Sequence, residues 1–193
     1  MIKKILIANR GEIACRIIRT CRFMGIKTLV IYSEADEHSL HVRESDEAVF
    51  IGESPADKSY LNYKKIVKVA IENKVDAVHP GYGFLSENPE FAKILEDYKI
   101  KFIGPSSNLI QMMGDKIQAK KVAKEYGLPV IEGSDGGVKD KKHAKEICKK
   151  IGFPILIKAS AGGGGKGMKI VHKESDFDDL FATAKSEAQK YFG

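Results

Sequence analysis

The 193-residue chain predicts an α/β fold, with a parallel-sheet N-terminal domain followed by a smaller α+β unit. Two observations carry this. As far as Gly104, strand-length apolar runs alternate with amphipathic helical segments, mostly through short links, the pattern of a parallel sheet covered on both faces. Beyond it the order becomes helix, strand, glycine-rich loop, strand, helix.

The first strand is "KKILIA". The helix "EIACRIIRTCRFMG" follows, with Ile13, Ile17 and Cys21 on one face and Gly25 as its stop. "IKTLVIYS" and "EAVFIG" read as buried strands. In "YLNYKKIVKVAIENK" the residues Tyr63, Ile66, Val67, Ala70 and Ile71 share a helix face, and "VDAVHP" returns as a strand. Asn88 before Pro89 is a helix start, because proline's missing N–H is no loss in a first turn. Phe91, Ile94, Leu95 and Tyr98 then form the stripe of that helix, and "IKFIG" is the next strand.

The second region opens with "GDKIQAKKVAKEYG", a helix with Asp115 as N-cap, Gln118 in the capping-box position and Gly127 as its stop. "LPVIEGSDGG" is extended and turn-rich. Asp140 caps a helix with Ala144, Ile147, Cys148 and Ile151 inward and Gly152 at its end. "FPILIKAS" and "MKIVH" are strands on either side of "AGGGGKG", and Phe177, Leu180, Phe181, Ala184, Ala188 and Tyr191 stripe a final helix. The expected domains are residues 1–113, a connecting helix and linker at 114–132, and the small unit at 133–193.

Composition narrows the function. The net charge of +6 suits an anionic partner, but the lysines are spread along the chain and aromatics are only 8%. A nucleotide fits better than nucleic acid. Cys15, Cys21 and Cys148 have neither C-x-x-C spacing nor a neighbouring histidine cluster, so they read as core thiols of a reduced protein. The N-terminal apolar stretch is broken by Asn9, Arg10 and Glu12, and no run approaches the ~20 residues of a membrane span. Cytoplasm, with no membrane partner, is the expectation.

The stretch "KASAGGGGKGM" joins two strands at hairpin distance, so it reads as a hairpin tip rather than a tether. Glycines there let backbone N–H groups approach a phosphate, and Lys158 and Lys166 add positive charge. A floppy tip with two solvated lysines is the alternative. The P-loop template fails, since Ser160 replaces its first glycine and Gly167 its hydroxyl residue. The dinucleotide template fails too, because "ANRGE" has one glycine, leaving a Rossmann-type layout without the pyrophosphate fingerprint.

"ANRGEIACRIIR", "HPGYGFLSEN", "FIGPS", "MGDK" and "IKASAGGGGKGM", in this order, resemble biotin carboxylase, an ATP-grasp family found in acetyl-CoA, pyruvate and propionyl-CoA carboxylases. The resemblance implies a Rossmann-like N-terminal domain followed by the lid subdomain of an incomplete ATP-grasp domain. It implies that MgATP phosphorylates bicarbonate to carboxyphosphate, whose CO₂ passes to biotin on a carrier. For ATP it implies Lys116, Lys158, Gly163, Gly164, Gly165, Lys166 and Met168, with Lys116 as an exposed helix lysine and Met168 as strand core the alternatives. The loop holding His79, Tyr82, Gly83 and Glu87 would line the bicarbonate and biotin side, although His79 also suits a strand end and Glu87 a helix start. Lys166 stands where many relatives have arginine, and Ala161 shortens the glycine run. The implied partners are a biotin carboxyl carrier, a carboxyltransferase subunit and a second copy of the enzyme.

Relatives run to more than twice this length, so the Mg²⁺-binding glutamates and the biotin-site arginine are expected beyond Gly193. The 193 residues are therefore expected to be an N-terminal portion, inactive alone, with no metal ligands and no catalytic residue assigned within it. A short nucleotide-binding or carboxylase-interacting protein is the alternative.

Overall fold

A computed structural model describes residues 1–131, 133, 134, 136–159 and 167–192, with side chains to Lys190. The chain divides into two compact units, Met1–Gln111 and Met112–Gly193.

The first unit is a five-stranded parallel sheet. Its strands are β1 (Lys4–Ile7), β2 (Lys27–Ser33), β3 (Glu47–Gly52), β4 (Ala77–His79) and β5 (Lys101–Phe102), in the order β3-β2-β1-β4-β5. Its helices are α1 (Gly11–Phe23), α2 (Leu40–Glu44), α3 (Tyr63–Glu72) and α4 (Pro89–Asp97). Strand alternation sorts the core into two layers. Ile5, Ile7, Val30 and Ala77 meet Ala14, Ile17, Ile18 and Cys21 of α1. Leu6, Leu29, Ile31 and Val78 meet Ile66, Val67 and Ala70 of α3 and Phe91, Ala92 and Leu95 of α4. Each fully buried large side chain contributes roughly 1.5–3 kcal/mol.

The expected helix stripes hold in their centres and miss at their ends. Ile71 is 39% exposed while Val69 is buried. At ~100° per residue, Val69 lies about 60° to one side of Ile66 and Ile71 about 140° to the other, outside the buried arc. Tyr98 and Ile151 are likewise exposed.

Two helices went unforeseen. α2 has five residues, too few to show a period. The helix α5 (Ser107–Gly114) falls at the end of the expected first domain, where the sequence offered no element, and the division between the units lies inside it. Ser106 Oγ caps it at long range, accepting from Leu109 N–H at 3.4 Å, and the Glu96 carboxylate adds shorter bonds, accepting from Ser107 N–H at 3.0 Å and from Ser107 Oγ at 2.9 Å.

The second unit contains α6 (Lys116–Glu125), α7 (Lys141–Ile151), β6 (Ile155–Ile157), β7 (Lys169–Val171) and α8 (Phe177–Phe192). Asp115 caps α6 through Ile117 and Gln118 N–H at 2.8 and 2.9 Å, and Asp140 caps α7 through His143 N–H at 2.7 Å. β6 and β7 pair antiparallel, with Leu156 opposite Ile170. Ala144, Cys148, Val171 and Phe177 form this unit's core, with Ile155 and Ile157 against it.

Candidate functional site

In the parallel sheet the chain moves outward from β1 to β2 and β3, then crosses back to β4 on the other side of β1. Such a switch point opens a crevice at the C-terminal strand ends, where open α/β sheets take ligands. A cavity of about 410 Å³ lies there, lined by Asn9, Arg10, Gly11, Glu12, Ile13, Asp36, Tyr82, Gly83 and Phe84. Of the sequence candidates, Tyr82 and Gly83 line it directly. Glu87 is exposed further along, just before Asn88, whose side chain caps α4 by accepting from Phe91 N–H at 2.9 Å.

His79 sits at the end of β4. Its Nδ1 accepts from Gly81 N–H at 3.0 Å, and burial lowers its pKa, so the imidazole is neutral. With Nδ1 occupied, the proton of the neutral ring is on Nε2, which makes His79 a loop anchor with no basic nitrogen to spare. Asn9 holds the same loop from β1: Nδ2 donates to Pro80 O at 2.7 Å and Tyr82 O at 2.8 Å, and Oδ1 accepts from Arg10 N–H at 2.9 Å. A Cβ on Gly81, whose φ is +66°, would stand 2.7 Å from Asn9 Nδ2, so this close approach requires glycine. The Tyr82 hydroxyl donates to the Glu12 carboxylate, which raises the phenol's pKa.

Sequence reasoning missed the hub beside the cavity. Asp36, 8% exposed, accepts from Tyr60 O–H at 2.8 Å, Ser33 Oγ at 3.0 Å, Ser39 Oγ at 3.1 Å and Arg10 Nη1 at 3.1 Å. Burial alone would raise the Asp36 pKa, but hydrogen bonds from Tyr60, Arg10 and Ser33 outweigh it and hold the carboxyl low. Burial pushes Tyr60 up to about 12. Its ring stacks on Phe84 at 5.0 Å, and the Arg10 guanidinium lies 5.7 Å from its centroid. Acid, phenol and arginine come from three segments, so no local spacing announces them.

The second unit offers a different surface. The Ile157–Lys169 and Leu156–Ile170 pairings put Ile155, Ile157, Lys169 and Val171 on the core side of the hairpin. Lys169 reaches Glu187 of α8 at 2.6 Å. By alternation Leu156, Lys158, Met168 and Ile170 share the other face. Leu156, Met168 and Ile170 are 43%, 39% and 58% exposed, and Lys158 is exposed too. Met168 is thus on the open face, not in the core. Lys116 is exposed at the start of α6. Gly163, Gly164, Gly165 and Lys166 lie outside the described residues. Among the described residues no three His, Cys, Asp or Glu side chains converge as a metal site, and no helix is long and apolar enough to cross a membrane.

A doubly wound parallel domain and a small hairpin-on-helices unit, each with a candidate ligand surface, define the class of protein. The family model for the biotin carboxylase N-terminal domain matches residues 1–110, and that for the carbamoyl-phosphate synthase L chain ATP-binding domain matches 115–193. The chain belongs to the biotin carboxylase family. It is 53% identical over 190 residues to the human mitochondrial propionyl-CoA carboxylase alpha chain, covering 98% of this chain and 26% of that one. With the 2-oxoglutarate carboxylase small subunit of Hydrogenobacter thermophilus it shares 50% over 193 residues, covering 100% and 41%. Among solved structures, the Campylobacter jejuni biotin carboxylase in its β-γ-ATP complex matches with TM-score 0.95 and 47% identity, over 100% of this chain and 43% of that one. The H. thermophilus biotin carboxylase domain dimer, bound to MgADP, ADP and bicarbonate, matches with TM-score 0.94 and 50% identity, over 100% and 42%. The chain thus spans from about a quarter to under half of the relatives' length.

Proposed function

We propose that this chain supplies the N-terminal Rossmann-like domain and the nucleotide-facing hairpin of a biotin carboxylase. The whole enzyme would use MgATP to activate bicarbonate as carboxyphosphate and carboxylate biotin on a carrier protein. A carboxyltransferase subunit and a second copy of the enzyme would be its partners, and the cytoplasm a fitting location; the mitochondrial relatives make an organelle the competing one. The proposed organisation is residues 1–113 as the Rossmann-like domain, 114–132 as the connection and 133–193 as the small subdomain.

The observation that carries this reading is the open hairpin face. Three large apolar side chains beside a lysine, with the opposite face packed on α7 and α8, suit a flat apolar base joined to a polyphosphate. Leu156 and Met168 would pack against the base. Lys158 would hold phosphate oxygens, as would Lys116 from the first turn of α6, where the helix dipole also favours an anion. Cationic groups that grip the phosphates stabilise charge on the transferred phosphoryl, a task of positioning and electrostatics. Among the described residues no cluster of three His, Cys, Asp or Glu side chains is placed to take Mg²⁺. On the first unit, the His79–Phe84 loop would line the bicarbonate and biotin side, with His79 fixing the loop rather than moving a proton.

Calorimetric titration of the 193-residue chain with MgATP, beside a phosphate-release assay with bicarbonate, tests this. Weak binding that Leu156→Asp or Lys158→Gln abolishes, without turnover, is expected. Binding indifferent to both substitutions, or sustained bicarbonate-dependent phosphate release, would overturn it.

A further inference from the structure

The cavity at the switch point carries both signs of charge. Arg10 is cationic, Glu12 and Asp36 are anionic, and Arg10 is already paired with Asp36. That balance does not favour a simple anion site. What the geometry does provide is an unusual hold on one aromatic residue. The ring of Tyr82 is 61% exposed, in a loop where Gly81, Gly83 and Phe84 all have positive φ, at +66°, +66° and +39°. An exposed ring on such a loop would ordinarily sample several rotamers.

We propose that Asn9 and Glu12, both from the β1–α1 corner, are positioning residues for Tyr82, Asn9 fixing its main chain and Glu12 its phenol, so that the ring is a fixed wall of the cavity. This rests on the reading that the loop lines the bicarbonate and biotin side. Asn9 is suited to its part because it is 3% exposed and both its amide hydrogens are spent on loop carbonyls, those of Pro80 and Tyr82. Glu12 is suited to its own because it lies in the first turn of α1, a 13-residue helix whose dipole favours a carboxylate there. The phenol–carboxylate bond then joins the tip of the loop to that helix. The two contacts are independent: Asn9 acts on backbone, Glu12 on the side chain. Behind the loop, Phe84 stacks on Tyr60, so the segment is pinned on both sides of Tyr82. The loop is a preset platform, and the substrate does not have to order it.

The chain labelled with ¹³Cζ-tyrosine gives the test by NMR, with Tyr82→Phe identifying the Tyr82 resonance among seven tyrosines. In the unsubstituted chain Tyr82 should titrate above the ordinary phenol value, because the Glu12 carboxylate accepts its proton. In Glu12→Gln its midpoint should fall to that ordinary value, while those of the other tyrosines stay where they were. A merely structural surface residue would not produce that split. In Asn9→Ala the Gly81 amide, bonded to His79 Nδ1 at 3.0 Å, should exchange at least tenfold faster relative to those of β1 and β2. An unmoved Tyr82 midpoint in Glu12→Gln overturns the proposal even if Asn9→Ala fails to fold. Millimolar d-biotin and bicarbonate, added in turn, should shift the Tyr82 resonance, and more weakly in Glu12→Gln. If neither shifts it in the unsubstituted chain while the titration difference stands, the functional reading fails and the positioning role survives.

Discussion

Replacing Tyr60 by Phe removes one oxygen and leaves the ring, its stacking on Phe84 and its contact with Arg10 in place. Two hydrogen bonds go with that oxygen. The hydroxyl donates to Asp36 Oδ2 at 2.8 Å and accepts from Ser33 N–H at 3.1 Å. A hydrogen bond to a charged group is worth ~1.5–3 kcal/mol, and a buried N–H left without an acceptor costs ~1–3 kcal/mol. Ser33 is fully buried, so water does not replace the lost acceptor. The two losses share a site and do not simply add; together they should destabilise the first unit by about 3 kcal/mol. Asp36 keeps Arg10, Ser33 and Ser39, so the carboxylate stays ionised at neutral pH. Amide exchange at Leu6 and Val30 reads this unit by itself and should quicken by roughly 150-fold, since each 1.36 kcal/mol is tenfold. The pH dependence has a definite sign. The folded pKa of Asp36 lies below its unfolded value, so its stabilisation is complete above the unfolded value and is lost as pH falls through the folded one. Less of that acid-side loss should remain in Tyr60→Phe. A change in exchange below threefold at pH 7 would refute the argument that Asp36 and Tyr60 form the hub of this edge.

Two further outcomes follow from buried or capped groups. His41 is fully buried, and burial outweighs the Ile31 carbonyl and the nearby Asp36 carboxylate to lower its pKa, so the folded state resists protonation that the unfolded state accepts. Stability should therefore drop as pH falls below ~6.5; His41→Leu should flatten part of that slope in thermal melts between about pH 7 and 5, leaving the part due to His79. Asp140→Ala removes the cap on His143 N–H at 2.7 Å and should cost about 1 kcal/mol, read as faster exchange at Cys148 with β1 unchanged.

The helices most readable in the sequence were those whose termini are fixed locally. Asn88, Asp115 and Asp140 each cap within three residues of themselves, and those three starts were placed correctly. The start of α5 has only a long local cap, Ser106 Oγ accepting from Leu109 N–H at 3.4 Å, and leans on Glu96, eleven positions before Ser107; it was missed. The candidate site divides in the same way. Lys158 and Met168 could be named from the glycine-loop words, but that they share a face with Leu156 and Ile170 follows from strand register, which pairs Leu156 with Ile170 fourteen positions on.

The sequence by itself determined the α/β order, the strand-and-helix alternation and the family, because apolar periodicity and short motif words are properties of neighbouring residues. Only the tertiary structure decided the strand order that puts β1 beside β4, and with it the cavity where Asn9 and Glu12 meet Tyr82 across some seventy residues of chain. It also decided the Asp36 hub. Those contacts depend on how β1, β2 and β4 line up in the sheet, and no single segment of the chain records that alignment.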